Sequence, residues 1–135
     1  MSRLFKRDQT FEYPVIERGD GVYLFDSEGR RYIDGTSGAG NVTLGHGRRR
    51  IAQAMAHQAG ELAYCFSSAF TNRPAMELAE RVVEIAPAGL NHTYFVSGGS
   101  EGVETALKLA RQYHLLRGHP DKHIVIARWR GYHGG

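Results

Sequence analysis

Ser97, Gly98, Gly99 and Ser100 stand between a run of β-favouring residues, Tyr94, Phe95 and Val96, and a helical pattern whose Val103, Leu107, Ala110 and His114 share one face. Two adjacent glycines let the backbone turn sharply and approach a ligand closely, and the first-turn N–H groups of the next helix have no partner inside it. A strand end, a glycine turn and a helix start in that order make an anion site. The Ser100 hydroxyl suits either of two ends: it caps the helix, or it donates to a bound phosphate. Glu101 and Glu104 complement the positive end of the helix dipole, so the segment is a sound helix start without a ligand too. No Gly-Lys-Ser/Thr follows the glycines and no G-x-G-x-x-G is present, which excludes a Walker A loop and a dinucleotide fingerprint.

A second pair of candidates follows the next apolar run. His123 to Trp129, with Ile124, Val125, Ile126 and Ala127 at its centre, reads as a buried strand, so strand, helix and strand form a βαβ unit. Such connections are right-handed, and ligands lie beyond the strand C-termini. Gly99-Ser100 and Tyr132-His133 both follow a strand end and can therefore converge on one ligand. A phosphate takes the N–H donors, and a flat heterocycle stacks on Tyr132. From the residues alone Tyr132 is first an ordinary loop aromatic, and His133 either orients its loop or touches the surroundings of the ring.

Other reactive residue types carry less. His114, His119 and His123 form no i, i+4 pair on one helix face, so no metal site is expected. Cys65 is the only cysteine and has no ligand-type neighbours; it reads as a small core residue in a reducing compartment. His46 sits between two glycines without a partner carboxylate or nucleophile in view, and its expected role is a hydrogen bond that fixes the loop. Net charge is +3, but the one tight basic cluster, Arg48-Arg49-Arg50, opens a helix and has no interleaved aromatics, so nucleic-acid binding is not expected. No apolar run is long enough for a membrane span, and the start lacks a signal-peptide core, so a cytoplasmic protein is expected.

Several elements must position these residues. Tyr13 to Ile16 reads as extended. Turns at Gly19-Asp20-Gly21 and Ser27-Glu28-Gly29 frame Val22–Asp26 and Arg30–Asp34 as an antiparallel hairpin. The stretch 35–41 is too glycine-rich for a regular element and reads as a surface loop of the kind that lines sites. A helix is expected from Arg48 to Ala59, closed by Gly60 at its C-cap. Another begins at an Asn72 cap with Pro74 in its first turn and ends before Pro87.

FVSGGSEGVETALKLARQYH resembles the phosphate-binding strand, turn and helix of the class III (ω-amino acid) aminotransferases, pyridoxal-phosphate enzymes of fold type I. VYLFDSEGRRYIDGTSGAGNVTLGHGRRRIAQAM resembles that family's N-terminal region, and RGYHGG its next cofactor-contacting loop. The resemblance covers nearly all 135 residues and implies an α/β architecture. Residues 1–70 would belong to a small domain with the hairpin, and 71–135 to the start of the large cofactor-binding domain with the first βαβ portion of its sheet. It implies pyridoxal 5'-phosphate as cofactor, held by Gly99, Ser100, Tyr132 and His133, with the tyrosine stacked on its ring. It further implies an amine or amino acid and a 2-oxo acid or aldehyde as substrates, and a homodimer. The family's loop matching 35–41 contributes to the substrate pocket, and many amine-specific members carry a bulky aromatic where this chain has Gly40.

The family's catalytic lysine and the acid on the pyridine nitrogen lie downstream of the Tyr-His-Gly motif, and Lys6, Lys108 and Lys122 match neither. The chain, starting at Met1 and ending in Gly134-Gly135 inside a continuing motif, therefore reads as an N-terminal fragment, inactive alone and with no catalytic residue of its own. An aminomutase of the same fold and a non-catalytic anion-binding α/β domain are the alternative readings.

Overall fold

Turn residues organise the first part of the chain. In this computed structural model, which describes residues 3–132, the chain divides after Ser68 into two units. The first holds a three-stranded antiparallel sheet in chain order: β1 (Ile16–Asp20), β2 (Tyr23–Asp26) and β3 (Arg31–Ile33). The expected hairpin is β2–β3, with Phe25 opposite Arg31 and Tyr23 opposite Ile33. The third strand was not expected: Gly19 and Asp20 extend β1 and pair with Leu24 and Tyr23. The turn therefore falls on Gly21 and Val22, where Gly21 takes a φ of +56°.

The β2–β3 turn closes on one carboxylate. Asp26 is 4% exposed, the only buried polar residue among those described. Its Oδ1 accepts from the Glu28 and Arg30 N–H groups at 3.0 and 2.8 Å, and its Oδ2 from Arg30 Nε at 2.8 Å and the Tyr32 hydroxyl at 2.7 Å. Burial pushes the carboxyl upward, but the bonds from Arg30 and Tyr32 outweigh it and hold the group at about 2. Four donors on two oxygens satisfy a buried charge, the condition under which one is tolerated.

Helix α1 (Arg49–Glu61) follows the glycine-rich loop. Gly60 lies inside it and is not its C-cap, a correction to the sequence reading. Leu62 is the cap, and its N–H bonds the Gln58 carbonyl at 2.8 Å, so the ladder runs past the glycine. A glycine in the last turn weakens a helix without ending it unless its φ turns positive.

The second unit contains α2 (Arg73–Ile85) and α3 (Gly99–Leu116). Asn72 caps α2 as expected, its side chain accepting from the Ala75 N–H at 2.9 Å, with Pro74 in the first turn. At the end of α3, Gly118 (φ +74°) donates to the Leu115 carbonyl and His119 to the His114 carbonyl, the two bonds of a Schellman ending. The flanking segments of the βαβ reading, 92–97 and 123–128, form no ladder with any strand among the described residues; only its helix is a regular element here. A strand is defined by a partner's hydrogen bonds, which residue pattern cannot supply. No hydrophobic side chain is buried among the described residues, so the apolar stripes of the helices are open.

Candidate functional site

The helix start has no side-chain N-cap. Gly98 is the N-cap of α3, in an extended conformation with no side-chain cap, and its carbonyl accepts from the Gly102 N–H at 3.0 Å. Gly99 is thus the first helical residue and Ser100 the second, so Ser100 is not the cap. The Glu101 carboxylate reaches back to the Ser97 N–H at 2.8 Å. Around the turn there is space: a Cβ built on Gly98 or Gly99 meets no heavy atom within 4 Å. Behind it the helix rests on the preceding segment, because a Cβ on Gly102 would lie 3.7 Å from Val96 Cγ2, ordinary contact. An open first turn bearing the positive end of an 18-residue helix is suited to an anion.

The segment after α3 returns along the helix. Arg111 ties it down by donating from Nη1 to the Pro120 and Lys122 carbonyls at 2.7 and 3.3 Å. Beyond that tie, Val103 and Leu107 of α3 line a groove of about 470 Å³ together with Val125, Arg128, Gly131 and Tyr132. Val103 lies one helical turn below Gly99, so the groove runs along the face that leads to the helix start. Tyr132 is 90% exposed, and its ring is available for stacking. His133 lies outside the described residues. An open helix start, and an apolar groove lined by Val103, Leu107 and the exposed Tyr132 ring, fit a phosphorylated planar ring in residue type.

Other candidates resolve into structural roles. Lys108 pairs with Glu104 at 2.6 Å on the surface of α3, and that pairing lowers the glutamate's pKa. Among the described residues no group of His, Cys, Asp and Glu is placed to hold a metal ion; the His114 and His119 rings sit edge to face at 6.4 Å. No helix among them is long and apolar enough to cross a membrane. His46 does have a carboxylate partner, Asp34 at 2.9 Å, twelve residues away across the loop. Its hydrogen bond lowers the Asp34 pKa against the opposing effect of burial, with Thr36 adding to it. Sequence reasoning missed Asp34 and Arg111, because neither contact leaves a local signal. The back-bond from Glu101 was legible only as an acid in the first turn.

Known proteins resemble this chain in sequence and in fold. The sequence pattern of the family described as aminotransferase class-III matches residues 5–135. A probable aminotransferase of Mycobacterium tuberculosis is 50% identical over 123 residues, covering 91% of this chain and 26% of that protein. A putrescine–pyruvate aminotransferase of Pseudomonas aeruginosa is 40% identical over 123 residues, with 89% and 26% covered. The crystal structure of the omega transaminase from Pseudomonas jessenii in complex with PMP superposes with a TM-score of 0.90 at 32% identity, over 98% of this chain and 31% of that one. The chain thus spans about a quarter of the length of the curated relatives it matches. A match over all but the first four residues, on a fold shared with solved transaminases, places this chain in the class III aminotransferase family, fold type I.

Proposed function

We propose that the intact protein is a pyridoxal-phosphate-dependent aminotransferase that moves an amino group from an amine or amino acid to a 2-oxo acid or aldehyde. The single observation that carries this reading is the family match over residues 5–135. The start of α3 supports it independently, because an open, glycine-lined first turn suits a phosphate dianion. Gly99 and Ser100 hold the phosphate, Tyr132 lies against the ring, and His133 belongs to the same cofactor-binding set. The cofactor supplies an electron sink for the bond cleavage at the donor carbon. These four residues bind and orient it, and none of them moves the reacting proton. The exposed apolar faces of α1, α2 and α3 are covered in the intact protein, which acts as a homodimer in the cytoplasm.

The test is alanine formation from pyruvate by the intact protein with added pyridoxal phosphate, with putrescine and amino acids offered as donors. Cofactor-dependent alanine is the expected product. A folded, cofactor-saturated protein that transfers no amino group from any donor to pyruvate, 2-oxoglutarate or an aldehyde overturns the reading. Ser100→Ala should weaken cofactor binding about tenfold, the scale of one hydrogen bond to a charged group.

A further inference from the structure

The loop from Gly35 to Gly45 leaves β3 and returns to the sheet, and its two ends are joined by side chains. His46 Nε2 and Asp34 Oδ2 are 2.9 Å apart, and the Asp34 side chain is 9% exposed. The His46 backbone makes two further bonds to the β1–β2 turn: its N–H donates to the Gly21 carbonyl at 2.8 Å, and its carbonyl accepts from the Gly21 N–H at 3.1 Å. Three glycines make this seat possible. A Cβ on Gly19 would lie 2.5 Å from His46 Cβ and Cγ, so only glycine leaves room for the ring. Gly45 and Gly47 flank the histidine with φ of +87° and +72°, and their α-carbons approach the Gly21 and Gly19 carbonyls so closely that a Cβ would lie 3.0 and 3.1 Å from those oxygens.

The loop between the clasped ends is itself strained. Ser37, Gly38, Ala39 and Gly40 all have positive φ, from +50° to +85°, a single left-handed turn closed by Gly40 N–H to the Thr36 carbonyl (3.0 Å) and Val42 N–H to the Ser37 carbonyl (2.8 Å). Left-handed backbone is unfavourable for Ser37 and Ala39, and such a turn persists only where its surroundings over-determine it. Asp34 adds to that determination: its Oδ1 accepts from the Thr36 N–H and hydroxyl at 3.3 and 3.0 Å, at the mouth of the turn. One carboxylate therefore holds both the incoming end of the turn and the histidine that anchors its outgoing end.

We propose that His46 is a positioning residue: through Asp34 it locks 35–45 as a compact Ω-loop and holds the left-handed turn in the shape that it presents to the amino donor. The part concerning the donor rests on the function proposed above; the locking of the loop does not. His46 is placed too firmly in the sheet edge to serve as a mobile acid or base, and its hydrogen bond is given to the carboxylate that orders the turn. Closed loops of this length pack by their own contacts and are frequently functional.

The test compares His46→Ala, His46→Gln and Gly19→Ala with the parent, in the intact protein, by hydrogen exchange at the Gly40 and Val42 amides and by donor kinetics. Loss of the clasp should speed exchange about tenfold in His46→Ala and in Gly19→Ala, which displaces the ring, whereas glutamine, whose amide reaches the Nε2 position, should restore most of the protection. The donor KM should rise several-fold in the first two variants with kcat within about twofold and the cofactor spectrum unchanged, the pattern of lost binding rather than lost chemistry. Parental exchange in both His46→Ala and Gly19→Ala overturns the clasp; if His46→Ala does not fold, Gly19→Ala decides alone. Faster exchange with an unaltered donor KM overturns the link to the donor. A parent that binds no pyridoxal phosphate and makes no alanine overturns the proposed function, and the exchange measurement still decides the clasp.

Discussion

The Glu101 carboxylate and the Ser97 N–H, 2.8 Å apart, span the glycine turn that opens α3. This is the back-reaching half of a capping box, displaced by one residue because Gly98 has no side chain to make the other half. The bond fixes where the extended chain stops and the helix begins, and so it sets the direction of the first-turn N–H groups. Glu101→Ala should weaken binding of pyridoxal phosphate by the intact protein about three- to tenfold, the range expected for one hydrogen bond. Glu101→Gln keeps an acceptor and removes a negative charge near the phosphate, so it should bind at least as tightly as the parent. Equilibrium dialysis of the cofactor distinguishes them, and equal affinities for the alanine variant and the parent would count against the arrangement.

The Asn72 side chain caps α2 by accepting from the Ala75 N–H at 2.9 Å. Asn72→Ala should lower stability by about 1 kcal/mol, and Asn72→Asp should recover it, because the acid is an equally good cap and also faces the helix dipole. Urea unfolding of the two variants of the intact protein measures the difference directly.

The pH dependence of the β2–β3 turn follows from Asp26. Its carboxyl is depressed from 3.8 to about 2, so the charged form is favoured by the fold. The stabilisation is complete above the ordinary value of 3.8 and is lost as pH falls through about 2. Protection of the Glu28 and Arg30 amides, which donate to this carboxylate, taken relative to the intrinsic exchange rate at each pH, should fall in that window and stay constant above it. In Asp26→Asn the same amides should exchange faster at neutral pH and lose the acid-dependent step. An acid step of undiminished size in the asparagine variant would assign it to another group.

Ala39 holds a φ of +56° with an ordinary side chain. Ala39→Gly removes the Cβ clash but loosens the unfolded chain, and the balance should be a gain of about 0.5–1 kcal/mol. Thermal unfolding of the intact protein tests this, and a loss of stability would mean that the Ala39 methyl group makes a contact worth more than its strain.

What the residues alone determine here is whatever short-range chemistry controls. Asn72 with Pro74 starts a helix, Pro87 ends it, Gly21 and Gly29 turn the chain, and the glycine pair before Ser100 opens α3, because each acts through its own φ, its own donor or a bond to a near neighbour. The family, too, was legible in motifs taken in order. Tertiary structure decided the rest. Gly60 stayed helical because Leu62 bonded back past it, and β1 gained Gly19 and Asp20 because Leu24 and Tyr23 lay opposite. His46 found Asp34 across twelve residues only because the sheet edge brought the ends of the loop together. Among the described residues the segments at 92–97 and 123–128 have strand composition without strand pairing, since a ladder requires a second chain segment alongside and no periodicity within one segment creates it.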